Sequence, residues 1–204
     1  MSLLRSVADK PWEYQAPGPE TGPESAFQFS PERVALALFL IIDGIIFSLL
    51  TVTYFLRMDL GDWIPLADPA MLWVNTAVLI ASSVFFQWAL LATRRDERPV
   101  ARRTFVVGGI LALLFVAGQL AVWQQLSNSG FGVQANPASA FFYLLTGLHA
   151  AHLLGGLWVW SKTSFRLFRE DDSQELELSV QLCTTYWHFL LLLWVVLFAL
   201  LANT

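Results

Sequence analysis

Five stretches of this chain stay apolar for about 20 residues each, the length an α-helix needs to cross hydrocarbon at ~1.5 Å rise per residue. They predict helices over Val34–Leu56, Met71–Ala92, Phe105–Trp123, Ser139–Ser161 and Ser179–Leu201. Membrane-spanning strands would be shorter, would alternate in polarity and would be separated by turns. In lipid every backbone N–H and C=O must find its partner within protein, and unbroken apolar runs achieve that as helices. The expected fold class is therefore all-α: a polytopic membrane protein with five transmembrane helices in a bundle over residues 34–204. Composition points the same way. Of 204 residues 56% are hydrophobic and only 14% charged, against about 25% charged in soluble domains. A soluble domain of this size could not hide so much apolar surface. The net charge of −4 gives no basic face for nucleic acid, and the single Cys183 excludes an internal disulfide or a cysteine-cluster metal site.

Residues 1–33 differ from the rest. They are rich in Pro, Gly and Glu (Pro17, Gly18, Pro19, Gly22, Pro23) and lack the apolar core of a signal peptide. They are expected to form a polar, extended N-terminal extension. Basic residues orient the bundle. Arg5, Lys10, Arg33, Arg94, Arg95, Arg98, Arg102, Arg103, Lys162, Arg166 and Arg169 fall on one side, leaving Arg57 alone opposite. By the positive-inside rule the N-terminus is cytoplasmic and the C-terminus periplasmic. Most of Trp63, Trp73, Trp88, Trp123, Trp158 and Trp160 fall near the predicted membrane edges, as interfacial belts do, whereas Trp187 sits close to mid-depth.

Polar groups inside the spans are few, and each is costly enough to call for an explanation. Asp43 is the only acid. All three histidines lie inside spans as well: His149 and His152 on the fourth, His188 on the fifth. Asp43, His152 and His188 each fall ~3 Å to the cytoplasmic side of their span's middle, and His149 about one residue to the other side. The expectation is one polar layer that meets in the bundle interior. His149 and His152 are three apart, hence neighbours on one helix face. Gly147, Ala151 and Gly155 form a small-residue stripe beside them, expected to admit a second helix closely. Gln181, Thr184, Thr185 and His188 make one polar face of the last span, and Asn75, Thr76, Ser82, Ser83 and Gln87 recur at roughly helical spacing on the second.

Several readings of these groups stand side by side. The histidines can serve interhelical hydrogen bonds, contact lipid or a partner, or hold a metal or haem. A metal would need His188 and Asp43 as third and fourth ligands, without any HExxH-type spacing; a bis-histidine haem would use His149 and His188. Asp43 is either a structural partner of histidine or part of a proton- or lipid-linked role. Arg94, Arg95, Arg102 and Arg103 act as the topology signal or as ligands of anionic lipid headgroups. No catalytic residues emerge: there is no nucleophile–base pair, phosphate loop or carboxylate pair. A proton-linked transporter is disfavoured by the absence of an inverted repeat or broken helix.

The residues also carry a family resemblance. Ser139-Ala140-Phe141-Phe142-Tyr143-Leu144-Leu145-Thr146-Gly147-Leu148-His149-Ala150-Ala151-His152-Leu153-Leu154-Gly155-Gly156 resembles the FF…TGFHGxHVxxG stretch of subunit III of the haem-copper oxidases. Tyr186-Trp187-His188-Phe189, followed by Trp194, is similar to that family's YWHFVDVVW. Phe39 to Phe47 resembles its F-x-x-S-E-x-x-x-F helix, and Leu72 to Ser83 its LNTxxLLxSS run. The resemblance covers all five spans in order. It implies a non-redox subunit of a bacterial inner-membrane terminal oxidase that reduces O2 to water, binding no cofactor itself. Haem and copper would sit in partner subunits; subunit I would be the principal partner, with subunit II, a small subunit IV and structural phospholipids. The implied roles are assembly, lipid binding, proton uptake and sustained turnover, with Asp43 in the place of the family's mid-membrane Glu. His149, His152, His188, Thr146, Gly147, Trp187 and Trp194 match family positions.

The departures are specific. Asp43 is one methylene shorter than Glu, Leu190-Leu191 replaces Val-Asp, and the two extra N-terminal helices of seven-helix members are missing, as in short bacterial forms. Quinol oxidases and nitric oxide reductases use similar short partners. An independent membrane haem or metal protein using His149, His152 and His188 is the reading from a different class.

Overall fold

The computed structural model describes residues 30–60, 63–64, 70–169 and 173–202, so most of the expected N-terminal extension, with Arg5 and Lys10, lies outside the described residues. Five helices follow in order: α1 (Pro31–Met58), α2 (Met71–Arg94), α3 (Arg98–Asn128), α4 (Pro137–Arg169) and α5 (Ser173–Ala202). All are long and apolar enough to cross a membrane. The described residues from Ala35 onward form one compact unit.

Each predicted span is found, and α3, α4 and α5 run well past their apolar windows. Apolarity ends where charge begins, but helix continues until something stops it. α3 begins at Arg98 with a proline in its first turn, where the missing N–H costs no hydrogen bond. Its basic first turns are helical although they are polar. The α2–α3 turn closes through Asp96 at φ 55, a left-handed position that Asp tolerates, with Glu97 N–H donating to Ala92 O at 2.9 Å. α3 ends in a similar way. Gly130 takes φ 87 and Phe131 N–H returns to Leu126 O at 3.0 Å. α4 is capped by Asn136, whose Oδ1 accepts from Ser139 N–H at 2.9 Å, with Pro137 as the first helical residue.

The helices do not form a uniform five-membered bundle. α2, α3, α4 and α5 pack as a closed ring, α2 beside α3 and α5, α4 beside α3 and α5. No Cα of α1 lies within 8 Å of another helix among the described residues. α1 attaches instead through long side chains. Phe47 and Tyr54 join Leu145 of α4 and Leu193, Leu197 and Leu200 of α5 in a second, smaller core. The ends of α2 and α5 meet through Arg94 and Glu177 (3.4 Å), and those of α3 and α4 through Arg102 and the carbonyl of Leu167 (2.9 Å). The α2–α3 and α4–α5 connections therefore share one basic end of the bundle.

Close backbone approach falls at glycines other than the expected ones. The stripe Gly147, Ala151, Gly155 faces outward. Ala151 and Gly155 are exposed, a methyl added to Gly155 would meet nothing within 4 Å, and one added to Gly147 would only touch the Trp123 ring. Spacing alone could not say which side of α4 the neighbouring helices occupy. The contact that needs glycine is one residue on, at Gly156, where a methyl would overlap the Trp187 indole and crowd Tyr186 of α5. Gly109 and Gly118 of α3 serve the same purpose against Trp160 and Asn75. Gly156→Ala should therefore destabilise the purified protein by ~1–3 kcal/mol through overpacking against a fully buried ring, while Gly155→Ala should change it by less than ~0.5 kcal/mol. Melting in detergent measures both, and equal effects at the two positions would contradict this packing.

Candidate functional site

Indole N–H groups need acceptors when water is absent, and they organise the surroundings of the site. Trp187 of α5 donates to Ser82 Oγ of α2 (2.9 Å), and Ser82 passes its own hydrogen to Gly108 O of α3 (2.8 Å). Trp194 donates to Thr76 Oγ1 (3.0 Å), which donates to Leu72 O (2.8 Å). Thr184 of α5 donates to Phe86 O at 3.3 Å. Trp123 and Trp160 tie α3 to α4. The first donates to Thr146 Oγ1 (3.1 Å) and the second to Phe105 O (3.0 Å). Trp73, Trp88 and Trp158 are exposed, and Lys162 lies 3.6 Å over the Trp158 ring.

Within this frame, Asp43 of α1 points inward and is 2% exposed. Its Oδ1 lies 2.9 Å from His152 Nε2 of α4, and neither carboxyl oxygen has another donor among the described residues. His152 Nδ1 is 2.8 Å from Leu148 O, which can only accept, so Nδ1 carries a hydrogen. The carboxyl and the imidazole stand within ion-pair distance, where one proton shared between them leaves the pair without net charge. Neutrality makes its burial in hydrocarbon tolerable.

Aromatic rings close the site. Phe39 and Phe47, one turn before and after Asp43, have centroids 6.1 and 5.8 Å from the His152 ring. Tyr186 of α5 packs on Phe39 at 6.0 Å and donates its hydroxyl to His152 O at 3.0 Å. These three aromatics stand in the motifs that carry the family resemblance but were not singled out as site residues, although the i−4 and i+4 spacing of the two phenylalanines about Asp43 was a usable signal. Beside the pair runs an apolar groove of about 310 Å³ lined by Leu36, Phe39, Gly155, Val159, Cys183 and Tyr186, among others.

The expected single polar layer is not assembled. Only Asp43 and His152 meet. His149 turns into the four-helix ring, 1% exposed, with its ring 5.2 Å from Trp194 and 6.2 Å from Phe115, and neither nitrogen has a partner among the described residues. Three residues' separation left it near His152 along α4, but the ring interior and α1 lie on different sides of that helix. His188 faces outward and bonds to Ser83 and Gln87 of α2. Gln181 is half-buried on the same helix. Among the described residues no three His, Cys, Asp or Glu side chains converge as a metal site would require. The ligand set for an independent metal centre is therefore not gathered. Of the headgroup candidates, Arg94 and Arg102 are engaged by Glu177 and the α4 terminus, while Arg95 and Arg103 are exposed.

If neutrality is what permits the pair, removing one member should cost more than removing both. His152→Phe alone, which strands the buried Asp43 carboxyl, should lose ~3–5 kcal/mol, the usual penalty for leaving a buried partner uncompensated. Asp43→Leu combined with His152→Phe should lose clearly less. Melting curves of the purified variants decide it, and additive losses would contradict the assignment.

Comparison with known proteins fits this arrangement. The family model for cytochrome c oxidase subunit III matches residues 29–202, from just before α1 to the end of α5. A cytochrome c oxidase subunit 3 of Thermostichus vulcanus is 27% identical over 173 residues, covering 82% of this chain and 85% of its relative. One from Corynebacterium diphtheriae is 30% identical over 125 residues, 61% of each chain, and one from Synechocystis is 28% identical over 171 residues, 81% of this chain and 72% of the relative. The chain, a multi-pass membrane protein by its helices, belongs to the cytochrome c oxidase subunit III family.

Proposed function

We propose that this chain is the non-redox subunit III of a bacterial haem-copper terminal oxidase, seated in the inner membrane with its basic end in the cytoplasm. The complex reduces O2 to water and moves protons, with haem and copper in subunits I and II; this chain supplies no redox centre. It braces subunit I, holds phospholipid along its apolar surface, and supports proton uptake and sustained turnover. The observation that carries this reading is the buried Asp43–His152 contact, at the position where the family has its mid-membrane Glu, in a chain whose relatives are named cytochrome c oxidase subunit 3. A buried carboxyl beside an imidazole among aromatic rings is suited to positioning and local charge balance rather than to bond-making chemistry. Arg95 and Arg103, exposed at the basic end, are the residues proposed to meet anionic headgroups.

Two measurements test the reading. The native complex, purified through a tag on this chain, should contain a larger haem-bearing subunit, while the separated chain is colourless. A Soret band of the separated chain, lost on His149→Ala or His188→Ala, would overturn it. Asp43→Asn should leave the initial rate of O2 reduction near wild type and shorten, severalfold, the number of turnovers before inactivation. A variant as durable as wild type, with unchanged proton uptake, would remove Asp43 from the proposed role.

A further inference from the structure

Of the acid and three histidines inside the spans, three are covered by this chain's own helices and one is not. Asp43 and His149 are buried and His152 is half-buried, whereas His188 is exposed. It lies on the floor of a groove of about 590 Å³ between α2 and α5, whose floor is Ser83, Gln87 and His188 and whose walls include Ile80, Val84 and Leu191. Intramembrane histidines almost always face protein or a water-filled cavity, because hydrocarbon offers them no partner. An outward-facing histidine on a transmembrane surface therefore marks a face that another protein covers.

Hydrogen-bond accounting says what the covering group must be. His188 Nε2 is 3.1 Å from Gln87 Oε1, an acceptor, so Nε2 carries the hydrogen and donates it. Nδ1 is then the acceptor, and Ser83 donates its hydroxyl hydrogen to it at 2.6 Å. Both imidazole nitrogens and the Gln87 oxygen are used. The Gln87 amide NH2 is what the array still presents to the groove, a donor without an assigned acceptor among the described residues.

Depth narrows the source of that acceptor. His188 is ~3 Å and Gln87 ~8 Å from the middle of their predicted spans, whereas lipid ester and phosphate oxygens begin ~15 Å out, at the edge of a ~30 Å hydrocarbon core. Acyl chains at this level carry no acceptor. A transmembrane helix can carry one there as a side-chain carbonyl, carboxyl or hydroxyl oxygen. Trp88, exposed beside Gln87 at the rim, adds the aromatic area that interface cores concentrate.

We infer that the α2–α5 groove is the seat of a transmembrane helix of the oxidase partner subunit, which places an acceptor oxygen on the Gln87 amide. The relay Ser83 to His188 to Gln87 holds that amide in orientation, so the groove is specific in polarity as well as in shape. This inference rests on the reading of the chain as an oxidase subunit.

The test uses the intact complex. A benzoylphenylalanine photocrosslinker replaces Val84 in one preparation and Leu191 in another, and adducts are mapped by mass spectrometry after purification. The expected result is a crosslink from both positions to one transmembrane helix of the haem-bearing subunit. Adducts to phospholipid or quinone alone, in a complex that still contains that subunit, would overturn the groove assignment and leave the family role intact. Failure of the chain to co-purify with any haem-bearing subunit would overturn both. Gln87→Leu should also weaken retention of the chain under detergent washing about tenfold, the equivalent of one lost interfacial hydrogen bond. Wild-type retention by that variant would remove the donor from the interface.

Discussion

Hydrocarbon offers no hydrogen-bond partner, and the arrangement of this molecule follows from that. Four indole N–H groups inside the bundle are given acceptors by a neighbouring helix, while that of Trp63, outside the helices, has none among the described residues. Ser82 and Thr76 of α2 receive Trp187 and Trp194 of α5, and Thr146 of α4 receives Trp123 of α3. These interhelical bonds average only ~0.6 kcal/mol in membrane proteins, with a ceiling of ~1.7. Their effect is therefore on register more than on stability. A one-residue slip of α5 against α2 would leave two indole donors bare, each costing ~1–3 kcal/mol. The polar residues of α2 and the tryptophans of α5 thus specify one alignment among many that dispersion alone would accept.

The same constraint explains why α1 is attached as it is. It stands too far from the ring for backbone contact, so its one mid-span acid, Asp43, is buried by meeting a side chain that can balance its charge. His152 does this because Leu148 O fixes the hydrogen on Nδ1 and leaves Nε2 to face the carboxyl. Phe39, Phe47 and Tyr186 pack around the contact. The pair both attaches α1 and forms the candidate functional site, so fold and site rest on one interaction here.

How much was legible in the sequence differs by element. Five spans could be read because about 20 apolar residues in a row have few other fates. The helix ends were misplaced because caps such as Asn136 and the Asp96 turn act outside the apolar windows. Asp43 and His152 could be singled out, since both are costly in lipid and lie at similar depth. Their pairing to the exclusion of His149 could not. Side-chain depth is a function of position along one helix, whereas convergence depends on how that helix is rotated about its axis against its neighbours. The same missing rotation put the close packing at Gly147, Ala151 and Gly155 rather than at Gly156, and hid the inward use of Trp123 and Trp160.

The sequence by itself determined the solvent of this protein, its number of crossings and which few side chains would be energetically conspicuous, because these depend on residue type and on distance along the chain. The tertiary structure decided which conspicuous groups satisfy one another and which are turned outward. Asp43 found His152, His149 entered the ring, and His188 was left at the surface with Ser83 and Gln87. That choice is made by helix rotation and packing, and those are settled by many small contacts at once rather than by any local pattern.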